Sequence, residues 1–187
     1  ILTPICTPLN QGKSVLIKNE DTMVALTVVL GSDLIPTYLS FTIRTHAVFA
    51  LKSLAQSVAP STLGRLKPDF FNRIIRYIKE SNSQQGINAA LQVMLDSCPS
   101  GRNRIMMVEA GAVSELIELE FSSAEQKTTE LIFGILYHLC SCADGRAQFL
   151  SHAAGVAIVT KRILKVSPAA DRRAMLILSL ISKFSGT

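Results

Sequence analysis

Three histidines, four cysteines and one Ser-His pair are the groups in this chain suited to nucleophilic or metal chemistry. His138 and Cys142 stand four residues apart, a spacing that sets two ligands on one face of a single helix. A zinc site needs three or four ligands. No third ligand falls at a zinc spacing, and Cys140-x-Cys142 is not a Cys-x-x-Cys pair. The plainer reading is a histidine at a helix surface and two cysteines acting as small apolar fillers. Ser151 and His152 are chain neighbours, but a serine nucleophile needs an oriented base and an oxyanion cradle, and the sequence offers neither beside them. The glycines match neither a phosphate loop nor a dinucleotide fingerprint. No catalytic residue, metal or cofactor is assigned, and the chemistry expected of this chain is non-covalent.

The totals agree. Of 187 residues, 48% are apolar and 18% charged, with no Trp. Mean hydropathy is +0.33. Runs such as Met175 to Ile181 are far shorter than the roughly 20 residues of a membrane span, so the apolar side chains must be buried against one another or lie exposed at a cut end. A net charge of +5 favours acidic partners or anionic surfaces. Basic and aromatic residues are not interleaved along one face, which argues against nucleic acid. Cys6, Cys98, Cys140 and Cys142 are too few and too irregular for a disulfide framework and predict reduced thiols in a cytosolic or nuclear protein. Residues 1–12 lack a signal peptide's basic start and apolar core and read as a linker; Thr3-Pro4 and Thr7-Pro8 are minimal sites for proline-directed kinases. A start at Ile1 predicts a fragment of a longer chain.

The chain repeats itself. Cys98-Pro-Ser-Gly101-Arg102 recurs as Cys142-Ala-Asp-Gly145-Arg146, and Ala110-Gly111 as Ala154-Gly155, all at an offset of 44. Looser matches set Ala50-Leu51 against Ala90-Leu91 at 40, and Leu136, Leu139 and Cys142 against Leu178, Ile181 and Phe184 at 42. Periods of this size belong to armadillo and HEAT arrays. Ile132, Ile135, Leu136 and Leu139 fall at i, i+3, i+4 and i+7, the buried stripe of a helix; Ala90, Leu91, Met94 and Leu95 form its counterpart one repeat earlier. Short helices are expected over Asn103 to Glu109 and Ala147 to His152. Gly111 and Gly155 turn the chain after them through positive φ and close approach, and Gly101 and Gly145 end the long helices before them. The expected fold is all-α, a right-handed armadillo superhelix of about four three-helix units over 13–58, 62–98, 102–142 and 146–184. The first is the least regular, with an unusual Pro36-containing connection over Ser32 to Thr42.

The stretches Cys98-Pro-Ser-Gly-Arg-Asn-Arg104, Val108-Glu-Ala-Gly-Ala-Val113 and Leu139-Cys-Ser-Cys-Ala-Asp-Gly-Arg-Ala147 resemble the armadillo domain of plant U-box ubiquitin ligases, most closely the elicitor- and stress-responsive group. Thr45 to Leu54, Lys67-Pro-Asp-Phe-Phe71 and Ala157 to Ser167 follow the same pattern, so the likeness spans residues 13–187. The resemblance implies a domain that selects protein substrates, such as an exocyst subunit, a receptor kinase or another immune or stress-signalling protein. It implies a ubiquitin-conjugating enzyme recruited only through the U-box, of which nothing is present here. It also implies a cytoplasmic site with recruitment to the plasma membrane through a partner. The alternative is a non-catalytic armadillo scaffold. A Trp and Asn ladder of the importin kind is excluded by the absence of Trp. Two joints depart from the family pattern: Ser32 to Thr42 lacks the short Gly/Ser turn, and the segment after Glu118 ends early at Leu119-Glu120-Phe121. Either residues are missing there or the groove geometry differs.

In such a solenoid the third helices line a continuous trough. Their residues outside the buried stripe are the candidate partner contacts: His46, Phe49 and Ser53 in the first unit, Ala89 and Val93 in the second, Glu130, Phe133 and Tyr137 in the third, and Arg172, Met175 and Ser179 in the fourth. Phe133 and Tyr137 have packing against a neighbouring repeat as their competing role. Lys161, Arg162 and Lys165, with Arg172 and Arg173 beyond them, form two basic clusters suited to an acidic partner, an anionic membrane surface or plain solvation. The last helix, Met175 to Phe184, ends without a covering unit, so self-association is expected.

Overall fold

Helices built from 3.6-residue apolar stripes account for the regular structure. The computed structural model describes residues 20–32, 37–122 and 125–184, with no strand among them. The linker, Cys6 and both Thr-Pro pairs lie outside the described residues. Among the described residues eleven helices follow in chain order. The first unit contributes α1 (Glu20–Leu30) and α2 (Thr37–Ala55). The second has α3 (Pro60–Leu63), α4 (Pro68–Glu80) and α5 (Gln84–Ser97). The third has α6 (Gly101–Glu109), α7 (Ala112–Ser122) and α8 (Gln126–Cys140). The fourth has α9 (Ala143–Ser151), α10 (Gly155–Arg162) and α11 (Pro168–Phe184).

Helix α4 shows how a sequence of this kind commits to its element. Pro68 stands in the first turn, where a missing N–H costs nothing. Phe70, Phe71, Ile74, Ile75 and Ile78 are buried on one face, while Asn72, Arg76 and Lys79 stay exposed on the other. Repeating that pattern in every unit leaves two rows. The long helices pack side by side in the order α2, α5, α8, α11; the middle helices α1, α4, α7 and α10 form a second row, with α6 lying on α9. One hydrophobic core runs through them, with Phe71, Leu91, Met107, Ile117, Phe133 and Phe149 fully buried.

The joints differ from their expected form. Gly101 and Gly145 do not end the long helices: Gly101 opens α6 and Gly145 lies in the first turn of α9. The long helices stop at Ser97 and Cys140, and their last carbonyls are taken by arginine. Arg104 donates to Cys98 O at 3.2 Å, and Arg146 to Cys140 O at 3.1 Å and Ser141 O at 3.2 Å. A guanidinium there satisfies orphan carbonyls and meets the negative end of the helix dipole. Gly111 has the expected positive φ, 80°, but Gly155 does not; it is needed because an added Cβ would lie 2.4 Å from Phe149 O. The Ser32 to Thr42 segment is not a loop throughout, because α2 is already helical at Thr37.

Asn103 ties three helices together. Wholly buried at the start of α6, it donates its amide to Leu63 O at 2.9 Å and to Ser97 O at 3.0 Å, the ends of α3 and α5. Asn103→Ala leaves two buried carbonyls without that donor and is expected to lower stability by about 2 kcal/mol, read from urea unfolding. A loss below about 0.5 kcal/mol would mean that water replaces the amide.

Candidate protein-binding groove

A partner crossing the units meets what α2, α5, α8 and α11 leave uncovered. Helix α8 has a long helix on either side and buries Leu131, Ile132, Phe133, Ile135, Leu136 and Leu139 completely or nearly so. It leaves Glu130, Tyr137 and His138 half-buried. Phe133 is 0% exposed and takes its competing role, packing in the core rather than lining the groove, as do the candidates Ala89 and Val93 on α5. On α2, His46, Phe49 and Ser53 are exposed, and on α11 so are Arg172, Met175 and Ser179. Met175 matches Phe133 at the 42-residue offset yet is 64% exposed, because no further long helix lies beyond α11 among the described residues. Leu176 is exposed as well, whereas the half-open Phe184 ring is capped by the Arg146 guanidinium 4.0 Å away.

Polar residues of α5 were missed. Gln84, Asn88 and Gln92 recur every four residues, a polar stripe whose spacing in the sequence is the signal that marks it. Gln84 and Asn88 join α5 to the start of α8, and Gln92 bonds within α5. The Thr128 hydroxyl accepts from Gln84 Nε2 at 2.6 Å and donates to Asn88 Oδ1 at 2.7 Å. Asn88 Nδ2 donates to Glu125 Oε2 at 3.0 Å. Gln92 Nε2 donates to Asp96 Oδ1 at 2.8 Å.

The far half of the row is electrostatically distinct. Glu130 accepts from Ser167 at 2.7 Å and from Gln126 at 3.2 Å, bonds that hold its carboxyl below the usual carboxylate range. Its backbone carbonyl accepts from Arg173, whose guanidinium lies over Gly134, 3.3 Å from where a Cβ would be. His138 rests against Tyr137 with ring centroids 5.3 Å apart. Burial, and then the charges of Arg104 and Arg173, push its pKa down, so the imidazole is neutral at physiological pH.

The remaining chemical candidates are spent on structure. His138 and Cys142 do not share a helix: α8 ends at Cys140, and Cys142 is the N-cap of α9. Burial pushes the Cys98 and Cys140 thiols up to about 12. The Ser151 hydroxyl donates to Gln148 O at 2.9 Å rather than to His152, which pairs with Glu118 at 3.1 Å and accepts from the Ala154 N–H. No group of three or more His, Cys, Asp or Glu that could hold a metal occurs among the described residues. Of the basic clusters, Lys161, Lys165 and Arg172 are exposed, but Arg162 turns inward onto the buried Glu120.

The whole chain, residues 1–187, matches the model of the plant U-box protein ARM repeat region. The chain belongs to that family. As an ARM repeat region of a plant U-box protein it is 36% identical to the E3 ubiquitin-protein ligase PUB24 of Arabidopsis thaliana over 95% of its length, and 37% identical to PUB23 over 77%. It spans 46% and 36% of those two relatives, less than half of either. Among solved structures, a designed armadillo repeat protein superposes with a TM-score of 0.73 at 15% identity, covering 93% of this chain and 70% of that one. A second, in complex with peptide (KR)4, superposes at 0.69 with 16% identity over 92% of this chain and 69% of that one. The repeat period, the paired rows of helices and these matches establish an armadillo fold.

Proposed function

We propose that this ARM repeat region selects the protein substrates of a U-box ubiquitin ligase in immune or stress signalling. The observation that carries the reading is the uninterrupted row α2, α5, α8, α11, which offers polar and half-buried aromatic side chains beside one another in a family whose relatives are ubiquitin ligases. A designed armadillo protein that holds a peptide supports a row of this kind as a peptide-binding surface. In the parent protein a U-box would recruit the ubiquitin-conjugating enzyme, and substrates would include an exocyst subunit, a receptor kinase or a related signalling protein. The protein would act in the cytoplasm and reach the plasma membrane through its partner. This region itself contributes affinity and position, with no proton to move and no bond to break.

The test joins residues 13–187 to a U-box and follows ubiquitin transfer to a protein that the chain captures. Tyr137→Ala should weaken capture about tenfold, the size of an aromatic hot spot, with a stability loss of about 1 kcal/mol for a half-buried ring packed on the core. Substrate choice that persists after deletion of 13–187 would end the proposal.

A further inference from the structure

The two halves of the helix row differ in what their polar groups have left to give. Across α5 and the start of α8, Gln84, Asn88, Thr128 and Glu125 bond to one another, and Gln92 is held by Asp96. Across α8 and α11 the carboxylates are already occupied. Glu130 accepts from Ser167 and Gln126, and Asp171 accepts from the Leu164 N–H at 2.8 Å. The guanidiniums there keep donors in reserve. Arg173 spends one Nη on the Glu130 carbonyl and Arg172 is exposed with no bonded partner among the described residues, while Arg104, on α6, is tied to the Cys98 carbonyl and has its Nε buried. Arg104 and Arg173 both act on His138, which lies beside the half-buried Tyr137.

The fixed geometry matters as much as the sign. Gly134 leaves room for Arg173 to lie flat on the helix, and the Glu130 carbonyl anchors one end of its fork. A guanidinium held that way loses little freedom when a carboxylate pairs with its remaining N–H groups. With His138 held towards its neutral form, the positive charge beside Tyr137 is that of the arginines. The net charge of the chain, +5, adds long-range attraction for an acidic segment.

We propose that the α8–α11 half of the groove takes an acidic segment of the partner protein, a carboxylate seating on Arg172 and Arg173 beside Tyr137. The inference rests on the groove being the partner surface. It differs from the neighbour that holds peptide (KR)4, whose 16% identity carries the fold and not the charge of its groove.

The probe is a short labelled peptide of alternating glutamate and glycine, with its lysine–glycine counterpart, followed by fluorescence anisotropy at low ionic strength. The acidic peptide is expected to bind about tenfold tighter, with a preference that fades as salt is added. Arg172→Glu, on an exposed residue with no internal bond, should weaken it about tenfold without moving the urea midpoint. Arg173→Gln should weaken it as well. Equal affinity for both peptides, or indifference to both substitutions, would overturn the acidic preference. If Tyr137→Ala still lowers ubiquitin transfer while peptide charge makes no difference, the groove stands and this inference alone falls.

Discussion

Gly145→Ala is expected to cost about 3 kcal/mol or more, whereas Gly101→Ala should change stability by less than about 0.5 kcal/mol. The two glycines are equivalent in the repeat, so the contrast tests the three-dimensional reading against the sequence one. A Cβ on Gly145 would lie 2.1 Å from Leu139 O and 2.7 Å from Leu139 C, main-chain atoms of the last turn of α8 that have no rotamer to escape into. Relief requires α9 to lift off α8. That movement would draw Arg146 away from the Cys140 and Ser141 carbonyls and disturb the wholly buried Phe149. At Gly101 the same methyl meets only Arg104 Nη2 at 3.4 Å, the end of a flexible side chain. There Ala even gains as a better helix former at the first residue of α6. Because repeat arrays transmit damage through unit interfaces, the loss at Gly145 should appear first as faster amide exchange in α9 to α11. Urea unfolding of Gly145→Ala within about 1 kcal/mol of the unsubstituted chain would show that α9 tolerates the shift.

That contrast also marks where sequence reading stops. The 44-residue offset, the apolar stripes and the turn glycines made the helical units legible, because burial of one face per helix is what the sequence must encode to fold at all. The family motifs were legible as well, and the match over residues 1–187 agrees with them. Which glycine serves conformation and which serves close approach was hidden. Gly111 and Gly155 look alike in sequence, yet one needs positive φ and the other needs space. The binding surface was the least legible part. Phe133 and Met175 are apolar residues at matching positions; the open end of the last helix is legible, but that the Phe133 position closes completely between neighbouring long helices is decided only by their packing. Arg162 and Arg173 read as surface charge in their runs, and each turns inward onto a partner more than 40 residues away. A helical stripe predicts which face is covered; it does not name the long-range partner of a charged residue at the stripe's edge.

Arg162→Met should therefore be among the most damaging substitutions, at about 3–5 kcal/mol near neutral pH. Arg162 Nε meets Glu120 Oε1 at 2.8 Å, and its Nη2 donates to the Glu120 carbonyl at 3.1 Å, closing the end of α7 against the end of α10. Glu120 is 0% exposed, and Thr129 supplies its other donor at 2.9 Å, while Oε2 has no partner. Burial raises the pKa of Glu120 even with the arginine in place, so removing the cation strands a carboxylate that cannot reach water. The pH dependence fixes the cause. A carboxyl whose folded pKa exceeds its unfolded value binds more protons when folded, so its penalty is full above the folded pKa and fades as pH falls towards the unfolded value. The deficit of Arg162→Met should accordingly shrink as pH falls from neutral towards the ordinary carboxylate range and Glu120 takes up a proton. The double substitution Arg162→Met with Glu120→Leu removes both charges and should recover to within about 1 kcal/mol of the unsubstituted chain. A deficit that ignores pH and survives in the double substitution would point instead to lost packing by the arginine's aliphatic stem.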